Sequence, residues 1–269
     1  MGAPAWLIEP VGLVPYGAAN ETMHALAERR LAQEIPDAMI LLQHPPVFTA
    51  GRRAKAEHLV WSEDEARAQG AQVHRIDRGG SFTFHGPGQL VGYPILDLGA
   101  RPDAAAYLRK LEEIVILSAA DIGVELHRRD DVQTGVFHGD DKVCAIGVRL
   151  MRTRVTLHGF ALNCDTDLSW FRGIVACGLP DNGVTSLSEL AGRMVTVTEM
   201  QPIVIRRSAQ VFDLRFLPAP ADAFGAERVS AGAARGDERG HRLGEDEQIV
   251  GERPVLDVEQ IETHVVLER

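Results

Sequence analysis

The chain is expected to fold as an α+β domain on a mixed or antiparallel sheet, with packed helices. Two observations predict this. Helical and strand-like patterns both recur along the first 217 residues, but not as regular βαβ units, which argues against a Rossmann fold. Between residues 124 and 163 the strand-like runs crowd together with only a short turn signal between them.

Residues 17–34 carry Ala, Leu and Met at helical spacing and predict a helix. DAMILLQH (37–44) predicts a short buried strand, closed by Pro45 and Pro46. SEDEARAQG (62–70) opens on a capping box, Ser62 with Glu65, and ends on Gly70, so a short surface helix is expected. VHRID (73–77) alternates as a strand does. LVGYPILDL (90–98) predicts another strand, with Pro94 pointing to an edge or a bulge. Asp103 is the expected cap of a long helix through Ala120, and Gly123 follows its end. VELHR (124–128), VQTGVF (132–137), KVCAIGVRL (142–150) and RVTLHGFALN (154–163) predict strands, with HGDDK (138–142) as a hairpin turn. Thr198 with Gln201 marks a last helix to about residue 214. From Pro218 the chain turns rich in Ala, Gly and charge, and is expected to be mostly disordered; VLDVEQIETHVVL (255–267) could add a strand or short helix.

The 269 residues are 45% hydrophobic, ample for a buried core, but only 6% aromatic, so that core is built mainly from Ala, Val, Leu and Ile. Net charge is −10, which argues against nucleic acid as partner, because phosphate binding needs a basic face. Residues 219–269 hold 12 acidic against 6 basic side chains, leaving about −4 on the rest. MGAPAWLIEP lacks the features of a signal peptide, no window reaches membrane-span length, and three widely spaced cysteines fit a reducing cytoplasm rather than a disulfide framework or a zinc site. No metal, cofactor or membrane is expected, and a monomer is.

Three places carry possible chemistry. Cys177, in FRGIVACGLPDNGVTSL, is flanked by glycines that let backbone N–H groups approach a carbonyl, although a buried structural thiol is the usual fate of a free cysteine. Cys144 and Cys164 lie in strand-like runs and read as packing. A nucleophilic cysteine needs a partner, and His85, His158 and Lys142 are the candidates. The bare stretch RGGSFTFHGPGQ (78–89) matches neither GxxxxGK[ST] nor GxGxxG, so a phosphate cradle is weakly supported beside a tight turn or an apolar wall.

Taken together, RGGSFTFHGPGQLVGYPILDL, KVCAIGVRL and HGFALNCDTDLSWFRGIVACGLPDNGVTSL resemble the lipoyl(octanoyl) transferase family, over about residues 7–217. The resemblance implies the α+β fold shared by biotin and lipoate protein ligases. It implies transfer of an octanoyl group from acyl carrier protein, carried on phosphopantetheine, to one lysine of apo lipoyl domains in 2-oxoacid dehydrogenases and the glycine cleavage H protein. Cys177 falls on the family's acyl-accepting cysteine and Lys142 on the lysine that pairs with it. Arg78, Gly79, Gly80, Ser81, Phe82, Thr83, Phe84 and His85 fall on segments lining the acyl pocket. So do Ala145, Ile146 and Gly147, and Gly159, Phe160 and Ala161, with Leu150 a further lining candidate. The division implied is a catalytic domain over 1–217 and an acidic extension over 218–269. Ala176 stands where the family has Pro, and Phe84 where Tyr is common. Two basic groups, Arg52, Arg53, Lys55 and Arg149, Arg152, Arg154, are candidate contacts for acidic partners. An ATP-dependent ligase of the same fold, an inactive binding module and a Cys–His hydrolase are the rival readings.

Overall fold

The computed structural model describes residues 2–129, 134–175 and 183–224. In chain order the elements are β1 (Ala3–Ile8), α1 (Tyr16–Leu31), β2 (Asp37–Leu42), β3 (Val47–Ala50), α2 (Glu63–Ala68), β4 (Gln72–Arg75), β5 (Phe82–His85), β6 (Gln89–Ile95) and α3 (Ala104–Ala120). They continue with β7 (Gly135–His138), β8 (Asp141–Met151), β9 (Val155–Asn163), α4 (Leu187–Ala191), α5 (Val197–Phe212) and β10 (Leu214–Pro218).

Seven strands form the main sheet in the order β10-β1-β2-β6-β9-β8-β7. β1 pairs in parallel with both β10 and β2, and the remaining pairs are antiparallel, so the sheet is mixed. The period-2 alternation of its strands sends two apolar sets to opposite faces. Met39, Leu41, Cys144 and Ile146 pack with Leu111 and Ile114 of α3 and Met200 and Val204 of α5. Ile40, Leu42, Val91 and Leu157 pack with Met23 and Leu26 of α1 on the other face. A smaller sheet, β4-β3-β5, carries its own cluster around Phe48, Phe84 and Ala66 of α2.

The capping box forms as expected: Ser62 accepts from Glu65 N–H, and Glu65 accepts from Ser62 N–H. Asp103 caps α3 through the Ala106 N–H. The β7–β8 hairpin turns at Gly139, whose φ of 57° is the left-handed conformation that glycine adopts without cost.

Several expectations are corrected. VELHR is not a strand: His127 exchanges two backbone hydrogen bonds with Phe137, a single bridge. The last helix starts earlier, because Thr196, not Thr198, is its cap and accepts from Glu199 N–H. It ends at Phe212, where Asp213 turns left-handed and β10 begins beside β1. The first helix stops at Leu31, short of residue 34. Pro94 is on an interior strand, not an edge. The β6–β9 ladder stops at Gly92, two residues before it, and the Thr156 hydroxyl fills the gap, donating to Pro94 O at 2.7 Å and accepting from Leu96 N–H at 2.8 Å. β1, β3, β5 and β10 were not anticipated.

Candidate active site

A cavity opens between the two sheets, walled by the 76–85 segment on one side and by β8 and β9 on the other. Arg78 anchors the first wall. Its side chain is buried and donates from Nη2 to Thr49 O at 2.8 Å and Oγ1 at 3.0 Å, and from Nη1 to Gly79 O at 2.8 Å. The 51–53 turn zips onto the same segment, with Gly51 N–H on Ser81 O, Arg52 N–H on Arg78 O and Arg53 N–H on Gly80 O. Gly51 is needed there because a Cβ would run into the Gly80 carbonyl and the Arg78 guanidinium. Gly51 thus serves a close backbone crossing over the RGG segment.

Arg78, Gly79, Gly80, Ser81, Phe82, Thr83 and His85 line the cavity, as do Ala145, Ile146, Gly147, Gly159, Phe160 and Ala161, and Lys142. Phe84 does not, and that expectation is corrected: its ring stacks on Trp170 at 5.2 Å and packs against Phe48 in the small-sheet core. Leu150 also lies off the lining. Tyr16, Arg53, Tyr93 and His158 line it besides. Tyr16 is at the start of α1 and Tyr93 sits inside β6, positions whose aromatic residues read as core in a sequence.

Lys142 is the second residue of β8 and is buried, against the solvated position usual at a strand mouth. Its N–H donates to Gly183 O at 3.0 Å, and its carbonyl accepts from Thr185 N–H at 3.0 Å, a parallel bridge to Val184. Nζ stands 5.2 Å from the Phe137 ring centroid, within cation–π range. Cys177 lies outside the described residues, as do Ala176 and Gly178. The chain to either side is anchored beside the cavity. Val175 N–H donates to His58 O, His58 Nδ1 pairs with Ser81 Oγ at 2.7 Å, and Gly183 holds Lys142. Cys144 and Cys164 are fully buried, and burial pushes both thiols far above the usual range, so they are inert packing.

His85 pairs through Nδ1 with Gln89 Oε1 at 2.8 Å, and Tyr16 stacks on its ring at 6.3 Å. Burial lowers its pKa well below the ordinary imidazole value, with His44 repelling the charged form further. His44 behind it is pushed down to about 4 by burial. His158 holds the left-handed φ of 59°, rare for a side chain of this size, and places Nε2 2.7 Å from Asp77 Oδ1. Burial works against the Asp77 charge, but the His158 hydrogen bond and the Arg149 guanidinium outweigh it and hold the carboxyl far below its usual range.

His24, Asp77 and His158 bring possible metal-ligating atoms within 4.8 Å of one another. Asp77 is already engaged on Oδ1 by His158 and on Oδ2 by Arg149, and that guanidinium puts a fixed positive charge where a cation would sit. The set reads as an ion-pair network tying the RGG wall to β8 and β9. In the second basic group Arg149 is on Asp77 and Arg154 makes two bonds to Asp97, while Arg152 is exposed. The first, Arg52, Arg53 and Lys55, is exposed, with Arg53 on the cavity lining.

The fold matches solved lipoate protein ligases. A lipoate-protein ligase A bound with ATP superposes with a TM-score of 0.65 at 18% identity, covering 83% of this chain and 91% of that one. The bipartite ligase of Thermoplasma acidophilum gives 0.63 at 16%, covering 83% and 89%. In sequence, the chain is 48% identical over 201 residues to the octanoyltransferase of Acidothermus cellulolyticus, covering 73% of this chain and 87% of that protein. The octanoyltransferase of Rubrobacter xylanophilus is also 48% identical, over 72% and 87%. The family model of the lipoyl protein ligase A/B catalytic domain matches residues 15–209. By that match and those identities, the chain belongs to the lipoyl protein ligase A/B catalytic-domain family and, within it, to the octanoyltransferases.

Proposed function

We propose that octanoyl transfer by this chain runs in two steps through a thioester on Cys177, with Lys142 as its proton partner. The Cys177 thiolate attacks the thioester of octanoyl-acyl carrier protein, and the phosphopantetheine thiol leaves with the proton that Lys142 took from Cys177. A lysine of an apo lipoyl domain then attacks the acyl-enzyme and forms the amide. Thioester exchange is nearly isoenergetic and the amide step runs downhill, so no ATP enters. The incoming amine has an ordinary pKa near 10.4, so it needs a proton acceptor at neutral pH.

The observation that carries this reading is the bridge between Lys142 and Val184. It pins the backbone of the lysine to the chain directly after CGLPDNG, seven residues past Cys177, while the lysine side chain lines the same cavity as the RGG wall. The cavity wall is apolar along Ile146, Phe160 and Ala161, and the six CH₂ groups of an octanoyl chain at about 0.8 kcal/mol each would contribute roughly 5 kcal/mol. Residues 1–217 form the catalytic unit in this reading, residues 218–269 an extension without a catalytic part, and the enzyme works as a cytoplasmic monomer. Among the described residues no helix is long and apolar enough to cross a membrane. Arg52, Arg53 and Lys55 at the rim suit an acidic carrier or lipoyl domain.

The test is octanoylation of an apo lipoyl domain from octanoyl-acyl carrier protein without ATP. Wild type should turn over and Cys177→Ala should not. Retained activity in Cys177→Ala, or an absolute need for ATP, would favour a ligase.

A further inference from the structure

Two buried hydrogen-bond chains end on the cavity wall, and each settles where a proton sits. Thr185 O only accepts, so Asn163 donates to it from Nδ2 at 3.1 Å, which commits Asn163 Oδ1 as the acceptor facing Gln89. Gln89 Nε2 donates to that oxygen at 2.9 Å and to Phe84 O at 3.2 Å. The remaining Gln89 oxygen only accepts, so His85 donates to it from Nδ1. His85 Nε2 is left with its lone pair. His85 lines the cavity, and among the described residues none engages Nε2.

The second chain starts at Val14 O, which takes the Nδ1 proton of His44 at 2.7 Å. His44 Nε2 is then an acceptor, and the Tyr93 hydroxyl donates to it at 2.8 Å. With that proton committed, Tyr93 Oη offers only lone pairs, and Tyr93 too lines the cavity. Both rings pack on His44, at centroid distances of 5.7 Å and 6.0 Å. An alkyl chain has nothing to give two acceptors. A primary amine has: with two N–H groups held, its own lone pair is free to face a carbonyl carbon.

We propose that His85 Nε2 and Tyr93 Oη receive the primary amine of the acceptor lysine and orient it for the second transfer. This rests on the two-step reading above. In that step the N–C bond forms and the C–S bond of the Cys177 thioester breaks. The nitrogen gives up one proton and the sulfur ends with one, carried between them by Lys142. His85 stays neutral throughout and acts as a hydrogen-bond acceptor, touching the attacking nitrogen.

The experiment loads wild type, His85→Ala and Tyr93→Phe from octanoyl-acyl carrier protein, quantifies each adduct, and follows its single-turnover discharge onto an apo lipoyl domain. In both variants the ratio of the discharge rate to the loading rate should fall by about 10- to 100-fold, the scale of one hydrogen bond to a reacting group. Tyr93→Phe keeps the ring and its packing, so it decides alone should His85→Ala fail to load. An unchanged ratio in Tyr93→Phe overturns the proposal. Absence of any adduct on wild type overturns the two-step reading and takes this proposal with it, and is a distinct result.

Discussion

Lys142 and Gly183 are joined by a backbone hydrogen bond of 3.0 Å, which ties the candidate proton carrier to the chain that follows Cys177. Lys142 is thus held both by strand β8 and by the segment bridged to it.

Lys142→Ala should slow adduct formation by about 100-fold or more, the usual contribution of a positioned acid–base group. Lys142→Arg keeps the charge but cannot release its proton, so it should be nearly as slow. Single-turnover loading by mass spectrometry measures both. The fold should persist, since Lys142 is at a strand end, and far-ultraviolet circular dichroism checks that.

Acid should weaken the fold in the range where buried histidines charge. His44 is held near 4 in the folded chain, against about 6.5 unfolded. A folded value below the unfolded one means the unfolded chain binds the extra proton first, so stability is full above about pH 6.5 and declines as pH falls toward 4. His44 alone accounts for about 3 kcal/mol of that slope. His85 and His158 are lowered in the same direction. Urea midpoints from pH 7 to pH 4 should drop for wild type, and the drop should shrink in His44→Gln.

Gly51→Ala should dismantle the RGG wall. Its Cβ would strike the Gly80 carbonyl and the Arg78 guanidinium, neither of which can move without breaking the 51–53 turn or the bonds to Thr49. The expected cost is about 1–3 kcal/mol in thermal or chemical unfolding, with octanoyl transfer lost more steeply than stability. Gly70→Ala is a control for a positive-φ glycine far from the site; it should cost stability alone.

Features written in local chemistry were legible in the sequence. The Ser62–Glu65 box, the Asp103 cap and the β7–β8 turn at HGDDK each depend on residues a few positions apart. The RGG, Lys142 and HGFALN motifs that meet at the cavity were read from their likeness to a family, because no periodicity brings residues 78, 142 and 160 together. Strands β1 and β10 were missed because short strands carry little alternation, and their pairing joins chain positions some two hundred residues apart. Thr198 misled because Thr196 offers the same spacing to Glu199 two residues earlier. Phe84 misled because its neighbours Thr83 and His85 do line the cavity, while its own ring belongs to the small-sheet core. The proton assignments of His85 and Tyr93 depend on Asn163, Gln89, His44 and Val14, which no motif links.

The most direct measurement is the intact mass of the protein after mixing with octanoyl-acyl carrier protein, for wild type and Cys177→Ala in parallel. Wild type should gain one octanoyl group, released by hydroxylamine and passed to an apo lipoyl domain, and Cys177→Ala should gain none. An adduct that forms equally on Cys177→Ala, or octanoyl transfer by wild type with no adduct under rapid quench, would contradict the account.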